Sequence, residues 1–382
     1  MKPIAILGST GSIGKQTLEV VREHKEKFRI VGLAANNNIE LLQEQIAEFN
    51  PTAVCVMNPV KADLLREKTG VEVFSGIDGL NKISALDETD TVVNALVGSI
   101  GILPTINAIK HKKNIAIANK ETLVTAGKIV MEEVRKNNVS FLPIDSEHSA
   151  ILQCIKSERK EDIRRIILTC SGGPFRNFSA EQIRNATVND ALNHPTWNMG
   201  AKITVDSATL MNKGFEVIEA HWLYSVPYEN VEVVVHPESI VHSFVEFNDS
   251  STLAQMGFPD MRIPIQYSLS YPERIPNNFQ SIDFGRIKSL NFEKPDLERF
   301  PCLRVAYDAG IAGGTLPAVL NASNEIAVKF FLDGKIRFFE ISEIIKSAIE
   351  RHKVIKNPNL DEILNVDRKT REDVQNSYHS SP

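Results

Sequence analysis

The chain has 382 residues, 42% of them hydrophobic and 24% charged, with 43 Lys and Arg against 48 Asp and Glu for a net charge of −5. That length suits two or three domains, and that composition suits an ordinary globular protein and not a disordered one. Mild acidity excludes a general attraction to nucleic acid or to an anionic membrane surface, and no apolar run approaches the roughly 18 residues of a membrane span. The apolar residues 4–7 run straight into glycines, which predicts a strand and not a secretion signal. Cys55, Cys154, Cys170 and Cys302 share no CxxC spacing, so neither a disulfide scaffold nor a thiolate zinc site is expected, and a reducing cytoplasm fits.

Short aliphatic runs at 4–7, 30–34, 53–56, 91–95, 114–118 and 141–143 alternate with amphipathic stretches such as 15–24 and 39–49. Alternation of this kind predicts a Rossmann-like, doubly wound parallel sheet over residues 1–145. From 146 to 270 the texture changes to strands at 165–168, 231–235 and 239–247 among Gly-, Pro- and Asn-rich loops, which predicts an α+β domain. Residues 271–300, with Pro272, Pro276 and Pro295, read as a linker. Residues 301–382 read as a helical domain, with helices at 318–332, 338–353 and 359–378.

The run GSTGSIG (8–14) lies between the first strand and the first helix. Small residues there let backbone amides at a helix N-terminus approach a pyrophosphate, although a glycine turn also serves tight strand–helix packing alone. The second strand ends in Asn36, Asn37 and Asn38, with no acidic residue to favour a free ribose hydroxyl and no cation to hold a 2′-phosphate. Further on, LPIDSEHSA (142–150) ends the sixth predicted strand. Asp145 and Glu147 there can converge with a third carboxylate on a hard cation such as Mg²⁺ or Mn²⁺; equally, Asp145 or Ser146 can cap a helix.

The run SGGPF (171–175) supplies a hydroxyl and open amides, suited to a phosphate or to an ordinary turn. Within HPTWNMGAKITVDSATLMNKGFEVIEAHWL (194–223), Asn212, Lys213 and Glu216 share one side of a predicted helix that Ser207 precedes. Lys213 and Asn212 can hold a phosphate while Glu216 turns toward a metal; the bland alternative is a solvated face with a surface Lys213–Glu216 pair. Trp197 and Met199 sit in a loop bounded by Pro195 and Gly200 and read either as a water-excluding lid or as core filler.

Taken together, GSTGSIG, ANKETLV (118–124), LPIDSEHSA, SGGPF and the 194–223 run resemble the 1-deoxy-D-xylulose 5-phosphate reductoisomerases. HPESIVHSFVEF (236–247), PDMRIPIQY (259–267) and LNASNEIAV (320–328) extend the resemblance over essentially the whole chain. The resemblance implies an enzyme that uses NADPH and a divalent metal to convert the deoxyketopentose phosphate to 2-C-methyl-D-erythritol 4-phosphate in isoprenoid synthesis. It implies a cytoplasmic homodimer with a small C-terminal helical bundle. Carried over by position, it makes Asp145, Glu147 and Glu216 metal ligands and brings Lys120 to the reacting oxygens. Ser146, Glu147, Ser171, His194, Ser207, Asn212 and Lys213 would surround the sugar phosphate, with Trp197 and Met199 on the closing loop. Thr10, Gly11, Ser12, Ile13, Asn119, Glu121 and Gly200 would contact NADPH, with Asn36 and Asn38 nearby. Many relatives carry a basic residue where this chain has Asn36–Asn38. Two alternatives compete with this reading: a metal-independent NADP-dependent sugar-phosphate or semialdehyde dehydrogenase, and a non-catalytic dinucleotide sensor.

Overall fold

Strands buried on both faces need no polar alternation, and the chain's first half uses such runs repeatedly. In the computed structural model, which describes residues 1–197 and 199–379, they form β1 (Lys2–Leu7), β2 (Phe28–Ala35), β3 (Ala53–Val56), β4 (Glu72–Ser75), β5 (Thr91–Asn94), β6 (Asn114–Ile117) and β7 (Phe141–Pro143). All pair in parallel in the order β4-β3-β2-β1-β5-β6-β7. The crossovers are α1 (Ser12–Glu23), α2 (Ile39–Phe49), α3 (Pro59–Arg66), α4 (Gly76–Ser84), α5 (Ile102–Lys110) and α6 (Lys120–Asn137). This is the expected Rossmann-like sheet with one strand more than the sequence reading found. The extra strand, β4, has four residues of which only Val73 is buried, because an edge strand has a neighbour on one side only.

Sheet order reverses at β1, which lies between β2 and β5, so the carboxyl ends of β1 and β5 border the crevice where such folds bind ligands. Gly8 leaves β1 at φ +93°, and a Cβ at Gly14 would lie 2.2 Å from the Gly8 carbonyl oxygen. The tight turn that opens α1 therefore requires glycine at both positions.

The chain divides into two compact units. Unit 1 comprises Met1–Thr122, Val130–Ser149 and Asp260–Gln280. In its last segment, α12 (Arg262–Ser270) packs on α1, β6 and β7, and Ile265 and Leu269 join the sheet's core. Unit 2 comprises Leu123–Ile129, Ala150–Pro259 and Ser281–Pro382. Its four-stranded sheet has β8 (Ile163–Cys170), β9 (Val231–Val235), β10 (Val241–Phe247) and β11 (Thr252–Met256) in the order β11-β10-β8-β9. The edge strand β11, exposed over its first three residues, is the one the sequence pattern did not reveal.

The helices after α6 are α7 (Ser146–Cys154), α8 (Ala180–Arg184), α9 (Val188–Leu192), α10 (Ala201–Ala208) and α11 (Met211–Tyr224). Beyond α12 come α13 (Pro301–Ala312), α14 (Leu316–Leu332), α15 (Glu340–Arg351) and α16 (Leu360–His379). The C-terminal helices form as expected, with α14 packed on α13, α15 and α16, and α13 is an addition whose start Pro301 sets. Among the described residues no helix is long and apolar enough to cross a membrane.

The β1–α1 turn generates a first prediction. Gly14→Ala forces a methyl group against backbone that cannot retreat, and should lower unfolding free energy by about 1–3 kcal/mol in urea titrations. An unchanged midpoint and slope would show that the turn relaxes freely.

Candidate active site

In unit 1, Gly11 occupies the N-cap of α1 with extended backbone, and among the described residues no side chain caps the helix. The first amides of α1, at Ser12, Ile13 and Gly14, are the ones a helix leaves without intrahelical partners, and the dipole there favours an anion. Gly11 itself sits in open space, its nearest neighbour to an added Cβ being the Gly8 oxygen at 3.4 Å. Thr10 is half-buried beside this opening. At the end of β2, Asn36, Asn37 and Asn38 are all exposed, and Asn38 caps α2 by accepting from the Leu41 amide at 3.1 Å.

Asn119 caps α6 in the same way, its oxygen accepting from the Thr122 amide at 3.1 Å. Its amide nitrogen donates to the carbonyls of Leu96 and Gly98, both at 3.0 Å, and to Glu121 Oε2 at 2.9 Å. Asn119 and Glu121 are thus buried together, tying the loop after β5 to the start of α6. Next to them the Lys120 ammonium pairs with the Asp145 carboxylate at the carboxyl end of β7. The Asp145 carbonyl accepts from the Ser149 amide at 2.8 Å, so its backbone opens α7 while its carboxylate stays with Lys120. Ser146 donates to the Glu147 carboxylate. Asp145 thus stands at the start of α7 through its backbone carbonyl, with its carboxylate beside Lys120.

In unit 2 the turn after β8 places Gly172 at φ +82° and Gly173 at φ +69°. A Cβ on Gly173 would lie 2.6 Å from the Ser207 carbonyl, so the turn and the last turn of α10 approach as closely as glycine allows. Ser171 Oγ lies 3.1 Å from His194 Nε2 and accepts from the Gly173 amide at 3.2 Å. His194 Nδ1 in turn accepts from the amides of Thr196 (3.2 Å) and Trp197 (3.0 Å). An Nδ1 that accepts carries no proton, so the neutral ring bears its hydrogen on Nε2 and donates to Ser171. With its oxygen accepting twice, the Ser171 hydroxyl has its own proton left for a third partner. Burial holds the His194 pKa below its ordinary value.

Trp197 and Met199 are half-buried and Gly200 is exposed at the N-cap of α10; Asn198, within the predicted lid, lies outside the described residues. Ser207 is half-buried at the end of α10. Leu210, at φ +60°, turns the chain sharply into α11. There Asn212 Nδ2 donates to Glu216 Oε1 at 2.6 Å, and the Lys213 ammonium pairs with the same carboxylate. The Lys213 and Glu216 side chains are 2% and 1% exposed, so the pair is interior and not the solvated face that the sequence pattern left open. Cys170 is half-buried at the end of β8.

Unit 1 thus groups Lys120 with Asp145, Asn119 with Glu121 and Ser146 with Glu147, and unit 2 groups Ser171 with His194 and Asn212 with Lys213 and Glu216. Sequence reasoning passed over Asp206, which is buried one residue before Ser207 and bonded to Asn324 at 2.8 Å. Its signal was weak: an acid beside a serine inside a longer run, with its partner 118 positions away.

His194 offers a direct check. Its lowered pKa means that folding favours the neutral ring, so this contribution is present above the ordinary histidine pKa and lost as pH falls through the folded value. Nitrogen–proton correlation spectra should show an Nε2–H tautomer at neutral pH and protonation only below the ordinary histidine range. An Nδ1–H tautomer would contradict the hydrogen-bond assignment.

Known proteins place these features in one context. Residues 4–127 match the family described as 1-deoxy-D-xylulose 5-phosphate reductoisomerase, residues 141–224 match the C-terminal domain of that reductoisomerase, and residues 256–373 match the DXP reductoisomerase C-terminal domain. The 1-deoxy-D-xylulose 5-phosphate reductoisomerase of Thermoanaerobacter pseudethanolicus is 54% identical over 381 residues, covering 99% of this chain and 100% of the relative. That of Pelodictyon phaeoclathratiforme is 55% identical over 375 residues, covering 97% of this chain and 98% of the relative. A crystal structure of DOX-P reductoisomerase in complex with NADPH, fosmidomycin and magnesium superposes with a TM-score of 0.95 at 39% identity, over 99% of this chain and 98% of that one. The Zymomonas mobilis enzyme in complex with NADPH superposes at 0.92 with 38% identity, over the full length of both chains. The chain belongs to the 1-deoxy-D-xylulose 5-phosphate reductoisomerase family.

Proposed function

We infer that this chain converts 1-deoxy-D-xylulose 5-phosphate to 2-C-methyl-D-erythritol 4-phosphate in the non-mevalonate isoprenoid pathway, with NADPH and a divalent cation. The observation that carries this reading is full-length identity to reductoisomerases, with the glycine turn, the carboxylates and the Ser171–His194 pair all present in one chain. The chemistry of the donor set fits the metal: Asp145, Glu147 and Glu216 offer oxygen only, the choice of Mg²⁺ or Mn²⁺. The Gly8–Gly14 turn fits a dinucleotide pyrophosphate, because the N-cap of α1 is a glycine and no side chain hydrogen-bonds there among the described residues.

In this reading Asp145, Glu147 and Glu216 hold the cation, and Thr10, Gly11, Ser12 and Ile13 hold the NADPH pyrophosphate. Asn36, Asn38 and Gly200 lie along the rest of the cofactor. Asn119 and Glu121 contribute through backbone and shape, since the Asn119 amide is committed within the protein. When bound, the cation supplies Lewis acidity toward the substrate's ketone and hydroxyl oxygens, and NADPH supplies the hydride. Lys120, held by Asp145, presents a fixed positive charge to those oxygens, and Ser146 and Glu147 orient the sugar. Ser171, His194, Ser207, Asn212 and Lys213 take the phosphate and the sugar hydroxyls. His194 keeps Ser171 in place, and the Ser171 proton is donated toward a phosphate oxygen. Trp197 and Met199 shut water out once the loop closes, with remote phosphate binding used to order the reacting centre.

In functional terms residues 1–145 serve as the NADPH-binding domain, 146–270 as the catalytic domain, 271–300 as a linker and 301–382 as the helical domain, although residues 260–280 pack with the first unit. A homodimer is supported by the family resemblance and by β11, an edge strand with Leu253 exposed. The cysteine spacing supports a cytoplasmic location, and Mn²⁺ is expected to substitute for Mg²⁺.

The deciding measurement is NADPH oxidation with 1-deoxy-D-xylulose 5-phosphate, with and without Mg²⁺ or Mn²⁺. Turnover that survives a chelator would favour the metal-independent dehydrogenase, and no turnover at all would favour the sensor. Glu216→Gln should lower turnover about a hundredfold or more, since Lewis-acid stabilisation is worth several kcal/mol, while NADPH affinity stays near that of the parent. Equal turnover at limiting metal would remove Glu216 from the ligand set. Because Asn37 supplies no cation, Asn37→Arg should raise the NADPH/NADH ratio of kcat/KM about ten- to a hundredfold, the worth of one charge-assisted phosphate contact. A flat ratio would mean that another side chain already holds the 2′-phosphate.

A further inference from the structure

The run LNASNEIAV has no role in the chemistry above, yet it carries the polar interior of α14. Asn324 is fully buried, and its Nδ2 donates to Asp206 Oδ1 at 2.8 Å. Asp206, 1% exposed, also pairs with Lys202 Nζ at 2.8 Å, one turn earlier on α10. Lys202 Nζ lies 5.0 Å over the Phe215 ring of α11, so the pair ties both helices. A separate polar cluster lies on the same helix: Asn321 donates to Glu325 at 2.8 Å, and Arg371 of α16 donates to Glu325 at 2.9 Å.

Asn324 serves two ends at once. Among the described residues its buried Oδ1 has no hydrogen-bond partner, a cost that is offset because its amide nitrogen satisfies the buried Asp206 carboxylate. What the asparagine provides is a directional hold on a carboxylate whose neighbour in sequence is Ser207. Successive helical residues lie about 100° apart, so fixing Asp206 against α14 fixes the direction in which Ser207 leaves α10. Gly173 then locks the Ser207 carbonyl from the other side, and Lys202 holds the first turn of α10, where the 194–200 loop rejoins the helix.

We propose that Asp206 and Asn324 are positioning residues: the Asn324–Asp206–Lys202 bridge fixes α10 so that the Ser207 hydroxyl and the returning end of the 194–200 loop are set for the substrate's phosphate. The proposal rests on the assignment of Ser207 to the phosphate. Residues of the C-terminal helices thereby act on substrate affinity without touching substrate.

The test uses the full-length enzyme with inorganic phosphate as probe in calorimetry, beside steady-state kinetics and hydrogen exchange. Asn324→Leu, close in volume and apolar, takes a donor from the buried Asp206 carboxylate and should lower the melting temperature by a few degrees while leaving NADPH affinity near that of the parent. It should weaken phosphate binding and raise KM for the sugar phosphate about tenfold, the order of one hydrogen bond to a charged group lost at the phosphate. Amides of 201–208 should exchange faster, and kcat should change far less than KM. The exchanged pair, Asp206→Asn with Asn324→Asp, keeps the net charge and both bonds: the amide now at 206 donates to the carboxylate now at 324 and accepts from Lys202. It should recover phosphate affinity that Asp206→Asn alone loses, and this comparison stands even if Asn324→Leu does not fold. Phosphate affinity unchanged in Asn324→Leu but lost in Ser207→Ala would overturn the bridge alone. Affinity unchanged in Ser207→Ala would overturn the phosphate assignment and the bridge with it. Equal losses in the exchanged pair and in Asp206→Asn would also overturn the bridge.

Discussion

Lys213 and Glu216 are carried into the interior of unit 2 together, and neither could be there without a counter-charge. Removing one ion from water costs several kcal/mol even after relaxation, and breaking a buried pair costs about 3–5 kcal/mol. That constraint governs the helices around the pair. The segment 211–224 is buried almost continuously, so its polar residues must meet one another inside the fold, as Asn212, Lys213 and Glu216 do. The same rule operates at Lys120–Asp145 in unit 1 and at Lys202–Asp206 beside Ser207. Each of these charged groups is held in a defined partnership within its own unit, which limits the conformations its side chain can adopt.

Backbone geometry supplies the second half of the design. At Gly8–Gly14 and at Gly172–Gly173 the chain follows φ values or approaches that a side chain would forbid. Both turns follow a strand, and the sheet sets the position of each. The absent side chains let neighbouring backbone approach, the Gly8 carbonyl at Gly14 and the Ser207 carbonyl at Gly173.

The C-terminal helices connect to this through polar contacts inside an otherwise apolar assembly. Buried Asn324 and Asn321 put polar groups on the packed side of α14, and at Arg371 burial lowers the pKa while hydrogen bonds to Asp367 and Glu325 outweigh it and raise it. Polar groups in such a place lower the yield of burial but remove rotational freedom from the helices that carry them. A helical domain distant in sequence from the site can in this way set the angle of α10.

Much was legible in the sequence. Strand–helix alternation predicts the parallel sheet because strands buried on both faces appear as apolar runs whatever their neighbours are. Local turn chemistry likewise marked the glycine turn after β1, and the density of motifs marked the family. Elements with few burial partners escaped: β4 and β11 are edge strands, and an edge strand has half the apolar demand of a central one. Alternatives also stayed open where one residue can serve two purposes. Asp145 could be a helix cap or a metal ligand; in the fold its carbonyl stands at the helix start and its carboxylate pairs with Lys120, a partner 25 positions away that the local pattern does not name. Periodicity places Lys213 and Glu216 on one side of a helix, but only packing removes that side from water. Asp206 with Asn324, and Ser171 with His194, are pairings between segments that meet through the fold, and no local pattern encodes a distance between them. The sequence by itself determined which groups the chain possesses and which elements carry them; the tertiary structure decided which of those groups lose water and must therefore find each other.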